Sequence, residues 1–259
     1  MEILNRSIYT LDLNDLYISN VPYPDTLKKG IKINTKRLWN SGEYIVLTSD
    51  PEKIKNEYQT KNPDAFLKIS RFPAYNNEKG TVSILSNNIL IDQFSYTEKM
   101  HFAIIKNPEG VSLERLSFEK STEEPGNFQS ASASAGFATP GYKNSQSTDG
   151  LTSKDEFELQ SSSFSPDNDG FEDLMQLRYK LSESGFVANV TIYNSNGMVI
   201  LKLYKNFTLA TQGLLEWDGK NEASEINPPG IYLIYAELFN AKGVVKKFRK
   251  TVVLAKKLN

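Results

Sequence analysis

Asn189-Val190-Thr191-Ile192-Tyr193-Asn194-Ser195-Asn196-Gly197-Met198-Val199-Ile200-Leu201-Lys202-Leu203 places an Asn-Gly pair between two runs rich in β-branched residues. Asn-Gly supplies turn backbone at low cost, so this stretch is a β-hairpin by the strongest short-range criterion a sequence offers. The pattern continues on both sides. Leu174 to Leu181 and Val187 to Tyr193 alternate apolar with polar, and Leu214-Leu215-Glu216-Trp217, Ile231 to Phe239 and Val244 to Leu254 supply further strands. About seven short strands with turns every ~8–12 residues predict an all-β sandwich over residues 157–259.

Residues 1 to about 118 carry the same signature in shorter pieces. Tyr44-Ile45-Val46-Leu47-Thr48 runs into Ser49-Asp50-Pro51, and Thr81-Val82-Ser83-Ile84-Leu85 is joined through Asn87-Asn88 to Ile89-Leu90-Ile91-Asp92-Gln93-Phe94. One short peripheral helix is expected near 51–58, because Asp50 suits the cap and Pro51 the first turn. From Ser130 to Gly136 the chain reads Ser-Ala-Ser-Ala-Ser-Ala-Gly, side chains too small to build a core, and a polar stretch follows to Gly150. This shift predicts a first domain over 1–144, a linker over 145–156 and a second domain over 157–259.

Composition narrows the classes of function. Lys+Arg 30 against Asp+Glu 31 gives a formal charge of −1, so no net field draws in nucleic acid or an anionic membrane. With Cys 0, disulfides, thiolate metal sites and thiol nucleophiles are excluded together. No apolar run approaches the ~20 residues of a membrane-spanning helix, and Met1 is followed by Glu2-Ile3-Leu4-Asn5, which is no targeting segment. Glycine-rich phosphate loops are absent too.

Few residues offer chemistry. His101 is the only histidine, and no Gly-x-Ser-x-Gly elbow accompanies it, so it reads as a locally bonded loop residue. Glu114, in Val111-Ser112-Leu113-Glu114-Arg115-Leu116, is the one carboxylate worth testing for glycoside hydrolysis; alternation with Leu and Arg makes it a half-exposed strand residue in cross-strand ion pairs. The cationic cluster Lys246, Lys247, Arg249, Lys250, Lys256 and Lys257 reads as the wet face and protected edge of a last strand.

Phe164-Ser165-Pro166-Asp167-Asn168-Asp169-Gly170-Phe171-Glu172-Asp173 packs turn formers with carboxylates. Calcium takes six to eight hard oxygens, which makes Asp167, Asp169 and Asp173 a candidate calcium site. The EF-hand register fails: with Gly170 at the sixth position, Ser165 falls first and Gln176 twelfth, so the leading Asp and the closing Glu are both missing. The alternative is a turn in which Asp side chains cap backbone amides where a domain opens.

Two resemblances bear on these residues. Residues 2–144 resemble the lamin-tail domain of Bacteroidetes surface and secreted proteins through Glu2-Ile3-Leu4-Asn5-Arg6-Ser7, Gly42-Glu43-Tyr44-Ile45-Val46-Leu47, Gly110-Val111-Ser112-Leu113-Glu114-Arg115 and Ala138-Thr139-Pro140-Gly141-Tyr142-Lys143-Asn144. Residues 157–259 are similar to the Ig-like module of flagellar hook-capping proteins and of gliding-associated C-terminal regions, through Phe164 to Gly170, Trp217-Asp218-Gly219-Lys220-Asn221 and Pro229-Gly230-Ile231-Tyr232. The resemblances imply two immunoglobulin-like sandwiches in tandem, the first lacking its opening strand or cut from a longer, signal-bearing chain. They imply a non-enzymatic adhesion, anchoring or scaffolding role outside the cytoplasm; the ligand expected is a protein or carbohydrate, the charge balance speaks against nucleic acid, and no cofactor is expected beyond calcium at Asp167, Asp169 and Asp173. Two alternatives stand beside this: an accessory region of an enzyme whose catalytic domain lies upstream, and calcium-dependent ligand binding.

Overall fold

The computed structural model describes residues 1–256 and is almost entirely β-structure, as the alternation predicts. It divides into two compact units. The first comprises Met1–Ala131 with Gly136–Asp149, the second Ser132–Ala135 with Gly150–Asn259.

In the first unit, strands β1 (Glu2–Leu4), β2 (Leu11–Asp12), β3 (Leu16–Ser19), β4 (Ile31–Lys32), β5 (Leu38–Trp39), β6 (Tyr44–Thr48), β7 (Phe66–Lys68), β8 (Lys79–Ser86), β9 (Ile89–Thr97), β10 (Leu113–Arg115) and β11 (Phe128–Ser130) form four small sheets. Their orders are β1-β6-β7, β2-β5, β4-β3-β8-β9 and β10-β11. Ile3, Ile45 and Leu47 from the first sheet meet Leu16 and Ile18 from the third, with Trp39 beside them, in a shared apolar core. Each such aliphatic contributes roughly 1.5–3 kcal/mol on burial, which is what joins sheets too short to stand alone. Asn87 and Asn88 sit at φ 48 and 65, the left-handed backbone of a tight two-residue turn between β8 and β9. Helix α2 (Pro51–Glu57) forms where Asp50 and Pro51 predict it, with the Asp50 carboxylate accepting from Lys53 N at 3.2 Å; a one-turn helix, α1 (Thr26–Lys29), lies outside that expectation.

In the second unit, β12 (Glu156–Leu159), β13 (Ser163–Phe164), β14 (Met175–Lys180), β15 (Phe186–Asn194), β16 (Val199–Thr208), β17 (Gln212–Trp217), β18 (Gly230–Asn240) and β19 (Val245–Leu254) form two sheets. The orders are β12-β14-β17 and β13-β19-β18-β15-β16. Leu177, Tyr179 and Leu215 from the smaller sheet pack on Val190, Ile234 and Val252 from the larger, so the core is the layer between them. Trp217 is its largest buried side chain at 1% exposure, with ring centroids 5.4 Å from Phe164 and 5.2 Å from Tyr232. Its indole N–H donates to Lys220 O at 2.8 Å, so the polar end of the ring is satisfied inside the core.

Three expectations change. The Ser-Ala run, expected to be too small in side chain to build a core, is packed: Ser130, Ala131 and Ser132 are fully buried, and Ser132–Ala135 belongs to the second unit, where Ser134 Oγ accepts from Ala210 N at 2.7 Å and from the Tyr179 hydroxyl at 3.1 Å. Small side chains carry no periodicity, and they also permit this close packing. The stretch expected as linker is structured at both ends: residues up to Asp149 lie in the first unit, and Asp155 accepts from Ser182 N at 2.8 Å and pairs with Lys246 at 2.6 Å in the second. The hairpin turn is longer than an Asn-Gly pair alone. Only Gly197 is left-handed, at φ 76, while Asn194 Oδ1 accepts from Asn196 N and Met198 N, each at 3.0 Å.

The C-terminal cations behave as a protected strand surface. Lys247 pairs with Glu237 at 3.2 Å, Arg249 lies over the Tyr235 ring at 5.7 Å, and Lys246 turns to the core side, where it reaches Asp155. Strand β13 covers only the Val253–Leu254 end of β19, leaving the rest of that edge to these charges. Lys257 lies outside the described residues.

Candidate functional site

The Phe164–Asp173 loop connects β13 to β14, and its carboxylates converge. One carboxylate oxygen each from Asp167, Asp169 and Asp173 lies within 4.8 Å of the others. The backbone explains the convergence. Asn168 and Glu172 adopt left-handed φ values of 61 and 48, and Ser165 N donates to Glu172 O at 2.9 Å, closing the loop at its base. Asp173 accepts from Asn168 N at 2.6 Å and Gly170 N at 2.9 Å, Asp169 from Phe171 N at 2.9 Å, and Asp167 from Asp169 N at 3.2 Å. Each carboxylate is therefore an amide cap first. Asp167 and Asp173 retain lone pairs beyond these bonds, and the set supplies hard oxygens of the kind calcium takes. Phe171, at the tip, is 71% exposed. A cleft of about 210 Å³ beside the loop is lined by Gln160, Ser161, Ser163, Glu172 and Gln176 among others.

Glu114 does not lie where alternation with Leu and Arg predicts. It is 4% exposed, while Arg115 turns outward and meets Asp92 at 3.6 Å. The carboxylate, not the leucines, occupies the inner side of β10, because a ring of donors awaits it. Oε1 accepts from Thr139 Oγ1 at 2.6 Å, and Oε2 from Ser145 Oγ at 2.7 Å and Gln146 N at 3.1 Å. Burial raises its pKa, against the lowering effect of these hydrogen bonds. Sequence reasoning missed Glu2, whose Oε2 accepts from Gly141 N at 2.5 Å. Burial pushes the Glu2 carboxyl up to about 8, and the charge of Glu114 acts in the same direction. The only clue in the sequence was that Glu2 and Gly141 both lie in the blocks that carry the lamin-tail resemblance.

His101 bonds Ser130 Oγ at 2.9 Å, and the same hydroxyl receives Phe102 N at 3.0 Å. Burial lowers the imidazole pKa, against the raising effect of Glu98, and His101 serves to tie its loop to β11. Its partner is distant in sequence, not local.

Asn5 is a further residue that sequence reasoning left unassigned. At 2% exposure its Nδ2 donates to Tyr9 O at 2.9 Å and Trp39 O at 2.8 Å, while Oδ1 accepts from Ser7 N at 3.0 Å and Ser7 Oγ at 2.8 Å. This hub fixes the loop that holds Ile8 and Tyr9, 82% and 68% exposed, at the surface.

No family model matches this chain, and no curated protein matches it. Among solved structures it is similar to FlgD from P. aeruginosa, at 23% identity over 31% of this chain and 61% of that one, with a TM-score of 0.27. It is also similar to dimeric latent PorU from Porphyromonas gingivalis, at 12% identity over 99% of this chain and 18% of that one, with a TM-score of 0.31. PorZ, a surface component of the type-IX secretion system of the same organism, aligns at 12% identity over 74% of this chain and 17% of that one, with a TM-score of 0.26. The chain thus spans less than two thirds of each. Superpositions this loose have no bearing on function. Among the described residues, no helix is long and apolar enough to cross a membrane.

Proposed function

We propose that this chain is a non-enzymatic binding or anchoring module of a bacterial envelope or secreted protein, built from two immunoglobulin-like sandwich domains. The observation that carries the reading is the state of Glu114. The one carboxylate that sequence reasoning singled out for hydrolysis is 4% exposed and accepts three hydrogen bonds from the chain itself. His101 is likewise committed to Ser130. The lamin-tail and hook-capping resemblances support an extracytoplasmic setting. Incubating the purified chain with chromogenic esters, glycosides, phosphates and peptides tests the reading, with no turnover expected.

A second reading has an observation of its own. The convergence of Asp167, Asp169 and Asp173 favours calcium-dependent binding at the loop that carries Phe171. Titration calorimetry with calcium chloride checks it. Saturable heat that disappears in Asp169→Ala would support this reading; heat that persists unchanged in that variant, or no heat in the parent, removes it.

A further inference from the structure

The turn from β12 to β13 and the start of β14 enclose the cleft of about 210 Å³ beside the Phe164–Asp173 loop, all of it within the second unit. Gln160 N donates to Gln176 O at 2.9 Å, which ties its two sides together. The lining is mixed. Gln160 and Gln176 bring side-chain amides, Ser161 and Ser163 hydroxyls and Glu172 a carboxylate, while Leu174, 40% exposed, brings an apolar surface. Part of the polar set is already in use: Gln176 Nε2 donates to Glu216 Oε1 at 2.6 Å, and Ser161 Oγ accepts from Ser163 N at 3.3 Å. Among the described residues, the Gln160 side-chain amide, the Ser163 hydroxyl and the Glu172 carboxylate make no hydrogen bond or ion pair with the protein. Glu172 also holds a left-handed φ of 48, a strained backbone for a residue with a Cβ, and residues so held cluster at ligand clamps and switch regions.

These groups select a ligand by elimination. No lysine, arginine or histidine lines the cleft, so nothing there neutralises a phosphate or a carboxylate. One carboxylate alone does not make a cation cage. The volume falls below the ~300–1,000 Å³ of sites for drug-sized ligands, and those sites are mostly apolar, so neither a long chain nor a lipid suits it. What fits is a small neutral molecule rich in hydroxyls and carrying one apolar face. A sugar ring has both. Its hydroxyls donate to the carboxylate, which only accepts, and exchange bonds in either direction with the amide and the serine hydroxyl, while its C–H face meets Leu174.

We propose that this cleft is a subsite for one neutral sugar ring, with Gln160, Ser163 and Glu172 as its hydrogen-bond partners. The proposal rests on the reading of the chain as a binding module and uses none of the three aspartates of the calcium reading.

A proton–nitrogen NMR titration of the full chain in EDTA tests it, with methyl α-mannopyranoside, methyl β-galactopyranoside and the methyl β-glycoside of N-acetylglucosamine as probes and glycerol as the control. The probes run to ~50 mM, above the ~1 mM dissociation constant that a few solvent-exposed hydrogen bonds supply. Saturable shifts are expected at the Gln160, Ser161, Ser163 and Gln176 amides with at least one glycoside. In Glu172→Ala the affinity should fall about tenfold, the loss of one hydrogen bond to a charged group. No shift with any of the three glycosides, shifts that glycerol reproduces, or an affinity unaltered in Glu172→Ala overturns the subsite. Should that variant fail to fold, Gln160→Ala replaces it, with a loss of about two- to tenfold expected and an unaltered affinity overturning the proposal. Run without calcium and without a turnover readout, the titration can fail while the calcium heat and the turnover assays return their own answers.

Discussion

Asn5 shows how one polar side chain can organise a loop that has no regular structure. Its amide uses both donors and two acceptor sites at 2% exposure, which nearly exhausts what an asparagine can make. Asn5→Ala leaves Trp39 O and its neighbours without that partner, and unfilled buried groups cost about 1–3 kcal/mol each. Denaturant unfolding of the first unit should therefore show a loss of roughly 2–3 kcal/mol with an unchanged slope. Glu114 makes the complementary point. Its position on an apolar-alternating strand gave no hint that the carboxylate faces inward, because the donors that reward it, Thr139, Ser145 and Gln146, lie far along the chain.

At the scale of elements, what could be read from residues depended on strand length. β15, β16, β18 and β19 each run nine to eleven residues, long enough for period-two alternation to declare itself. The two-residue pieces β2, β4 and β5 have no period to read. The Ser-Ala run is illegible for a related reason: small side chains carry no period, and here they serve close packing around Ser134. The carboxylate trio was legible as a cluster, since turn chemistry within ten residues fixes it, whereas the bonds from Glu2 to Gly141 and from Glu114 to Ser145 join distant parts of the sequence. The β15–β16 turn offers a clean test of local geometry. Gly197 has φ 76 and open space where a Cβ would stand, so Gly197→Ala incurs left-handed strain without a clash. Thermal or denaturant unfolding of the second unit should register a cost of about 1–2 kcal/mol.

At the scale of the whole molecule, two β units are each closed by their own core, and several polar side chains hold loops to them. Glu2 and Glu114 hold the Thr139–Gln146 segment, His101 holds its loop to Ser130, and the aspartates of the Phe164–Asp173 loop cap its amides. The formal net charge of −1 supplies no net field to draw in nucleic acid or an anionic surface. That account stands or falls on turnover. The purified chain and its Glu114→Gln and His101→Ala variants, assayed side by side against ester, glycoside, phosphate and peptide substrates, should all be indistinguishable from buffer. Turnover by the parent chain that is lost in either variant would contradict the account.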